Sequence, residues 1–233
     1  MNNQANVKCE QCFVRHRNAL KTLYDGELHI ISECKTASLI KKGEIIFEEG
    51  DMLAGVYCIR DGVCKLSKLS ANGKSQIVRF VGKGDILGQR SVIARDPVNL
   101  TATALTDIEA CFVPKEEIFS FFANNIDFSI EIFRNVCDEL KKADNAIVDL
   151  AQKTVKQRLA DTLLFLENNF GTDPQGYINL QLSREEIGNM IGSATESLIR
   201  MLSDFAKNNW IETRAKRIKI LNKRQLEKTS LGN

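Results

Sequence analysis

The segment 183–202, SREEIGNMIGSATESLIRML, constrains the fold of this chain more than any other. Two Ser-x-x-Glu pairs, Ser183 with Glu186 and Ser193 with Glu196, match the capping box that begins a helix. A glycine between the two predicted helices permits a tight turn. Two short capped helices joined in this way indicate a helix-turn-helix, a motif whose second helix can enter the DNA major groove.

Both predicted helices have an apolar face at helical spacing. Its members are Ile187, Met190 and Ile191 in the first helix and Leu198, Met201, Leu202 and Phe205 in the second. The opposite side of the second helix carries Thr195, Glu196, Ser197 and Arg200. Arginine can donate two bonds to guanine, glutamate can accept one from cytosine, and serine or threonine can bind base or phosphate. We therefore predict base reading, with a helical hairpin inside an ordinary bundle as the alternative.

Predicted strands flank this helical pair. One short strand is expected at 177–182, and two more, at 210–213 and 217–221, enclose a basic turn. The last two would form the wing of a winged helix-turn-helix. Its cations, among them Lys216 and Arg217, would lie along the phosphates.

Composition limits the class of protein. A chain of 233 residues with 43% hydrophobic and 27% charged residues can form two globular domains. The net charge is only +2, but residues 151–233 hold 13 basic and 9 acidic residues, against 19 and 21 in 1–150. Seven cysteines without an apolar export signal or membrane segment predict a cytoplasmic protein without a disulfide scaffold. His16 and His29 belong to no complete catalytic motif, so we do not expect an enzyme.

Residues 36–114 have the pattern of an all-β domain. Short β-type runs are separated by glycines about every 8–12 residues. Along 100–106, apolar and hydroxyl residues mostly alternate, which indicates a strand with one buried face. Pro114 closes this region, which we interpret as a small β-barrel.

A long helix is predicted from about residue 127 to 150, continuing to about 169. Its apolar positions recur at intervals of three and four and form a narrow seam. The seam residues predicted to form the dimer contact are Phe133, Cys137, Leu140, Asp144 and Ile147. Pairing with an identical helix is the favoured interpretation, and packing on the chain's own barrel is the alternative. Asp144 would weaken the dimer at that end unless it is solvated or paired.

A glycine-punctuated β-barrel, a long helix and a basic winged helix-turn-helix, in this order, resemble the Crp/Fnr family of bacterial transcription regulators. The segments that carry the resemblance are IKKGEIIFEEGD (40–51), YCIRDGVCKL (57–66), KGDILG (83–88) and LSREEIGNMIGSATESLIRML (182–202). It implies an α+β chain with a jelly-roll-like β-barrel sensor at 1–125, a dimerisation helix at 126–150 and a winged helix-turn-helix at 151–233. It also implies a homodimer on a near-palindromic DNA site, controlled by a small-molecule or redox signal. RNA polymerase is left open as a further partner.

Two sets of candidate residues follow. The DNA-binding set is Ser183, Arg184, Ser193, Thr195, Glu196, Ser197, Arg200, Lys216 and Arg217. The effector-binding set implied by the resemblance is Gly88, Gln89, Arg90, Asn99 and Thr101. The acid that cyclic-AMP-binding members offer to the ribose, and their cation for the cyclic phosphate, are missing at the matching positions, so cyclic AMP is not the expected effector.

Cysteines provide an alternative sensor. The oxygen-sensing branch of the family holds an iron–sulfur cluster on three N-terminal cysteines and one in the barrel. Cys9 and Cys12 match the first pair, and Cys111 resembles the barrel cysteine. The usual third N-terminal position holds no cysteine, which leaves Cys34 or His16 as substitutes. Redox or metal sensing through Cys9, Cys12 and Cys111 is therefore the alternative, with no cofactor or metal site assigned.

Overall fold

The computed structural model describes residues 7–71 and 73–232. The chain divides into two compact units. One consists of the described residues up to Leu69 together with Ile77–Leu140, and the other of Ser70–Gln76 together with the described residues from Lys141 onward. Sheets dominate the first unit and helices the second, which confirms the predicted α+β class.

Eight strands of the described residues form two four-stranded sheets. They are β1 (Thr36–Ile40), β2 (Ile45–Phe47), β3 (Gly55–Asp61), β4 (Val63–Leu69), β5 (Ser75–Gly82), β6 (Ile86–Leu87), β7 (Thr101–Ala104) and β8 (Ile108–Pro114). The strand order is β1-β8-β3-β6 in one sheet and β2-β7-β4-β5 in the other. This is the predicted jelly-roll-like arrangement, although the two sheets do not close into a continuous barrel.

Alternating side chains fill the space between the sheets. In β7, Ala102 and Ala104 are buried while Thr101 and Thr103 are partly exposed, so the predicted period of two holds. The interior is mainly aliphatic and includes Phe47, Ile59, Leu66, Leu87, Leu100 and Ile108.

The N-terminal segment and three helices cover the outside of the sheets. Among the described residues, three short 3₁₀ turns precede α1 (Asp25–Cys34). Helix α2 (Gln89–Ala94) follows β6, and α3 (Lys115–Asn124) follows β8. Helix α2 was not predicted from the sequence. A second core joins these layers and includes Leu20, Leu28, Ile31, Val113, Phe121 and Phe128.

The long helix is shorter than predicted. Helix α4 (Ile126–Gln152) ends, and a separate helix, α5 (Val155–Phe170), begins at a capping box. Gln157 donates its backbone N–H to Thr154 Oγ1 at 3.3 Å, and Thr154 donates its own N–H to Gln157 Oε1 at 2.7 Å. The prediction of a continuous helix to about residue 169 was therefore wrong, because a Thr-x-x-Gln pair restarts the helix here.

The second unit has the order of a winged helix-turn-helix. After α5 come α6 (Arg184–Ile191), α7 (Thr195–Lys207), β9 (Ile211–Arg214), β10 (Arg217–Ile220) and α8 (Lys223–Ser230). The strand predicted at 177–182 is absent from the described structure, because this segment forms only single bridges, Thr172 with Ile178 and Tyr177 with Lys219. Among the described residues, no helix is long and apolar enough to cross a membrane.

Candidate functional site

The first helix of the motif begins as predicted. Ser183 Oγ accepts the backbone N–H of Glu186 at 3.0 Å, and Glu186 Oε2 accepts that of Ser183 at 2.8 Å. The helix ends at Gly192, whose φ of 65° is left-handed and suits glycine. A Cβ at Gly188 would lie 2.9 Å from the carbonyl oxygen of Ser193, so the turn also depends on a close backbone approach.

The second helix begins one residue later than predicted. Helix α7 starts at Thr195, and its N-cap is Ala194, which has no side-chain acceptor. Ser193 lies one residue before the cap, and its hydroxyl donates to the Ala194 carbonyl at 3.3 Å. The predicted capping box of Ser193 and Glu196 was therefore wrong. Burial instead fixes α7, since Leu198, Leu202 and Phe205 are all buried.

The outer face of α7 is polar and open to solvent. Glu196, Ser197 and Arg200 are exposed, and Thr195 is half-buried. In the part of the chain that the structure describes, no hydrogen bond or ion pair involves the side chains of Glu196, Ser197 or Arg200. Three groups with donor and acceptor chemistry suited to base edges thus lie together on one helix face.

Two of the predicted DNA-binding arginines already have protein partners. Arg184 donates from Nη2 to the carbonyl oxygen of Ala215 at 2.9 Å, and burial lowers the pKa of its guanidinium. Arg217 pairs with the Asp173 carboxylate and lies 4.2 Å from the centroid of the Tyr177 ring. These residues attach the wing to the rest of the unit.

The tip of the wing carries an exposed lysine. Residues Arg214–Arg217 form its turn, in which Ala215 has a φ of 51°. Lys216 is exposed there, and no hydrogen bond or ion pair of the described structure involves its side chain. Arg214, by contrast, donates from Nε to Glu212 Oε1 at 2.7 Å. Lys216 is therefore an exposed cation of the wing that the described contacts leave unpaired.

The seam of α4 is uncovered in the single chain. Phe133 and Leu140 are 61% and 62% exposed, Ile147 is 65% exposed, and Cys137 and Asp144 are also exposed. The alternative in which these residues pack on the chain's own sheets does not hold. Phe128 and Ile132, on another face of the helix, make that contact instead.

A pocket in the first unit gathers most of the predicted effector residues. Gly88, Gln89, Arg90 and Asn99 line it, and apolar walls complete it. Thr101 does not line the pocket, because it lies at the edge of β7 and accepts the backbone N–H of Glu49 at 3.1 Å. The remaining lining residues were not among the predicted effector residues; they are Phe47, Leu66, Arg79, Leu87, Ser91, Val98 and Leu100. Two arginines thus line the pocket: Arg90, which was predicted, and Arg79, which was not.

Four cysteines line a second cavity. Cys9, Cys12 and Cys111 are joined by Cys58, which lies opposite Cys111 in the pairing of β3 with β8. Lys35 places its Nζ 3.4 Å from Cys9 Sγ. Burial raises the pKa of the Cys58 and Cys111 thiols.

The side chains of these cysteines are not arranged as a metal-binding site. Among the described residues, no group of three or more His, Cys, Asp or Glu side chains could hold a metal ion. Cys34 and His16, the predicted substitute ligands, do not line the cavity. The donor chemistry suits soft metals and iron–sulfur clusters, but the arrangement of the donors does not fit a bound ion.

Known proteins resemble both parts of the chain. Residues 38–125 match a family model described as a cyclic nucleotide-binding domain, and residues 157–229 one described as a Crp-like helix-turn-helix domain. The chain is 30% identical over 225 residues to Electron transport regulator A of Shewanella oneidensis, covering 94% of this chain and 89% of that protein. It is 27% identical over 187 residues to the CRP-like cAMP-activated global transcriptional regulator of Mycobacterium tuberculosis, covering 79% and 84%. The solved structure of FixK2 from Bradyrhizobium japonicum matches with a TM-score of 0.74 at 25% identity, covering 84% and 96%.

Proposed function

The chain belongs to the Crp/Fnr family of bacterial transcription regulators, and on this basis we propose how it binds DNA and is controlled. It is a DNA-binding regulator with a sensor in its first unit. In the proposal, two chains pair along α4 and place two copies of α7 in successive major grooves of a near-palindromic site. The dimer acts in the cytoplasm and meets RNA polymerase at promoters. The exposed polar face of α7 is the observation that carries the proposal.

Three side chains of α7 read bases in this proposal. Arg200 donates to guanine, Glu196 accepts from cytosine N4, and Ser197 binds a base edge or a phosphate. Thr195, beside them, tunes the site that is read. Lys216 of the wing binds phosphate and adds affinity without sequence preference.

A matched pair of variants tests these roles. Binding sites are first selected from random duplexes with the wild-type protein, and affinities are then measured across single-base variants of the best site at several salt concentrations. Arg200→Ala should cost about 1–3 kcal/mol at one base position and relax the preference there. Lys216→Ala should weaken all sites alike and reduce the salt slope by about 1. If the wild-type protein selects no sequence, or both variants weaken all sites equally, base reading by α7 is wrong.

The dimer rests on the exposed seam of α4. An apolar stripe at a/d spacing along a 27-residue helix suits pairing with a second copy. Leu140→Gln should therefore shift the protein toward monomers in sedimentation velocity. Leu39→Gln is the control, since Leu39 is 60% exposed, close to the 62% of Leu140, but lies on β1 away from the seam. Equal effects of the two changes would exclude the seam as the interface.

Redox sensing through cysteines is the second candidate for the signal. It is favoured by one observation, the convergence of Cys9, Cys12, Cys58 and Cys111 on one cavity beside Lys35. Anaerobic purification, followed by quantification of iron and sulfide and an absorption spectrum, tests it. Metal-free, colourless protein whose DNA binding is identical under reducing and oxidising conditions would exclude it.

A further inference from the structure

Two of the cysteines that line the second cavity lie opposite each other on neighbouring strands. Cys58 of β3 is the register partner of Cys111 of β8, and both are free thiols that line the same cavity. Directly opposed residues of antiparallel strands have Cα atoms about 4.5–5.5 Å apart, within the span of about 4.4–6.8 Å that a disulfide bridges. Because the strand pairing already holds this distance, the two thiols can be joined without a large movement of the backbone.

The surroundings of this pair are electropositive. Arg15, Lys35 and Arg60 line the cavity together with the cysteines. Burial raises the pKa of the Cys111 thiol, and the charges of Lys35 and Arg60 oppose this effect. For Cys58, burial and then the neighbouring Cys111 raise the pKa. The thiolate that reacts with an oxidant therefore forms more readily at Cys111 than at Cys58.

One hydrogen-bond donor of the cavity is unused. The Nε atom of Arg15 is buried and has no hydrogen-bond partner in the described structure. An unpaired buried donor costs stability, and most native structures avoid it. An oxygen atom beside the thiols would accept this N–H, and a peroxide or a cysteine sulfenic acid supplies such an oxygen.

We propose that Cys111 and Cys58 are a peroxide-sensitive dithiol that forms a disulfide between β3 and β8. The Cys111 thiolate attacks one oxygen of hydrogen peroxide, which breaks the O–O bond, gives the sulfenic acid and releases hydroxide. Cys58 then attacks the sulfenic sulfur, so that the S–S bond forms and the S–O bond breaks. The proton of Cys58 leaves with that oxygen as water, and the proton lost earlier by Cys111 neutralises the hydroxide. Two thiols and one peroxide thus give one disulfide and two waters.

Arg15 is a positioning residue in this scheme, because its Nε donates to the oxygen of the sulfenic acid. For a role in control, the inference rests on the redox candidate described above. It differs from an iron–sulfur cluster on Cys9, Cys12 and Cys111 in two respects. It needs no bound ion, and it requires Cys58, which the cluster set lacks.

The test maps disulfides in the full chain before and after treatment with hydrogen peroxide. Reduced protein is treated, the peroxide is removed with catalase, and remaining thiols are alkylated under denaturing conditions before digestion with trypsin. Trypsin places Cys58 in peptide 43–60 and Cys111 in peptide 96–115, so their disulfide joins two peptides that otherwise separate. The joined pair is the expected product, and dithiothreitol should convert it back to free thiols. Absence of the joined pair, whatever other disulfides form, overturns the proposal.

Cys64 is the matched control for burial. It is at least as buried as the proposed pair, but it lies opposite Ala104 in the pairing of β4 with β7 and so has no thiol across from it. Its peptide, 61–65, should be recovered alkylated after every treatment. Loss of the Cys64 thiol at the same rate as the pair would show general oxidation of buried cysteines and would contradict a specific site.

Arg15→Gln tests the positioning residue through the rate of disulfide formation. The rate should fall about tenfold, the effect of losing one hydrogen bond to the reacting oxygen. Alkylation of Cys111 by iodoacetamide involves no sulfenic oxygen, so its rate should stay the same, whereas a change in both rates would show that Arg15 acts only on the structure. Arg17→Gln is the control, since Arg17 belongs to the same 3₁₀ turn but does not line the cavity. Equal disulfide rates in the two variants would exclude the role of Arg15.

DNA binding separates this inference from the proposed function. Peroxide should change the DNA affinity of the wild type by about fivefold or more, the usual size of coupling between two sites. Cys58→Ala should abolish the change, and Cys64→Ala should keep it. If the joined peptides form but the wild type selects no DNA sequence, the proposed function fails and the disulfide stands. If DNA binding is selective and no joined peptides form, only the dithiol fails.

Discussion

The two serines that precede the helices of the motif should differ in their effect on stability. Ser183 caps α6 through the 3.0 Å bond to the Glu186 N–H, whereas Ser193 caps nothing. Replacing a capping serine with alanine costs about 1 kcal/mol, within a range of roughly 0.5–2 kcal/mol. Ser183→Ala should therefore lower the free energy of unfolding by about 1 kcal/mol. Ser193→Ala should lower it by less than about 0.5 kcal/mol, because its hydroxyl makes only an exposed 3.3 Å bond to the adjacent Ala194 carbonyl in the described structure.

Urea unfolding followed by the fluorescence of Trp210 measures this difference. Trp210 is the only tryptophan of the chain and lies in the second unit, with its ring centroid 4.9 Å from that of Phe205. With a slope of about 1–2 kcal/mol/M for a small unit, Ser183→Ala should move the midpoint by roughly 0.5–1 M. Protein concentration is held constant because a dimer would link stability to it. Equal losses in the two variants would refute the assignment of the caps.

Three further predictions concern the core, the thiols and the end of α4. Phe205→Ala should lower the free energy of unfolding by about 3–5 kcal/mol, because it leaves a cavity where the fully buried Phe205 ring packs against Trp210. A loss below about 1 kcal/mol in the urea assay would contradict this. Burial raises the pKa of Cys64 to about 12, so at pH 8 only about one thiol in 10⁴ is ionised, and iodoacetamide should label the partly exposed Cys12, which lies outside the seam, far earlier in peptide mass spectra. Arg158 donates to three backbone carbonyls at the ends of α4 and α6, at 2.7–3.1 Å. Arg158→Ala should therefore lower the free energy of unfolding by about 2–4 kcal/mol in the urea assay. An unchanged free energy would show that water replaces the guanidinium.

Local patterns predicted the elements, because they depend on neighbours a few residues apart. The apolar faces of α6 and α7 and the alternation in β7 all followed from spacing. The start of α5 could also have been predicted, since Thr154 and Gln157 form a Thr-x-x-Gln capping box. Because the apolar spacing of the seam continues past this box, one continuous helix was predicted where the structure has two.

Partners distant in sequence could not be predicted in this way. Cys58 lies opposite Cys111 only through the register of two strands, and Arg79 meets Glu139 only through packing of β5 near α4. For Arg217 the residue type and its place in the wing predicted a phosphate contact, but the structure shows it paired with Asp173, which lies 44 residues away in the sequence. Side-chain chemistry therefore gave the kind of site, and tertiary contacts decided which residues take part.

The wrong capping box at α7 bears directly on how the helix would bind DNA. A serine cap would place its oxygen on a backbone N–H of the first turn, as Ser183 does on α6. Because Ala194 stands at that position, no side chain caps the first turn of α7. Unbonded N–H groups and the positive end of the helix dipole attract anions, and a DNA phosphate can supply the missing acceptor. Ala194→Ser should therefore stabilise the free protein by up to about 1 kcal/mol and weaken DNA binding at every sequence, whereas stronger binding would show that the first turn faces no phosphate.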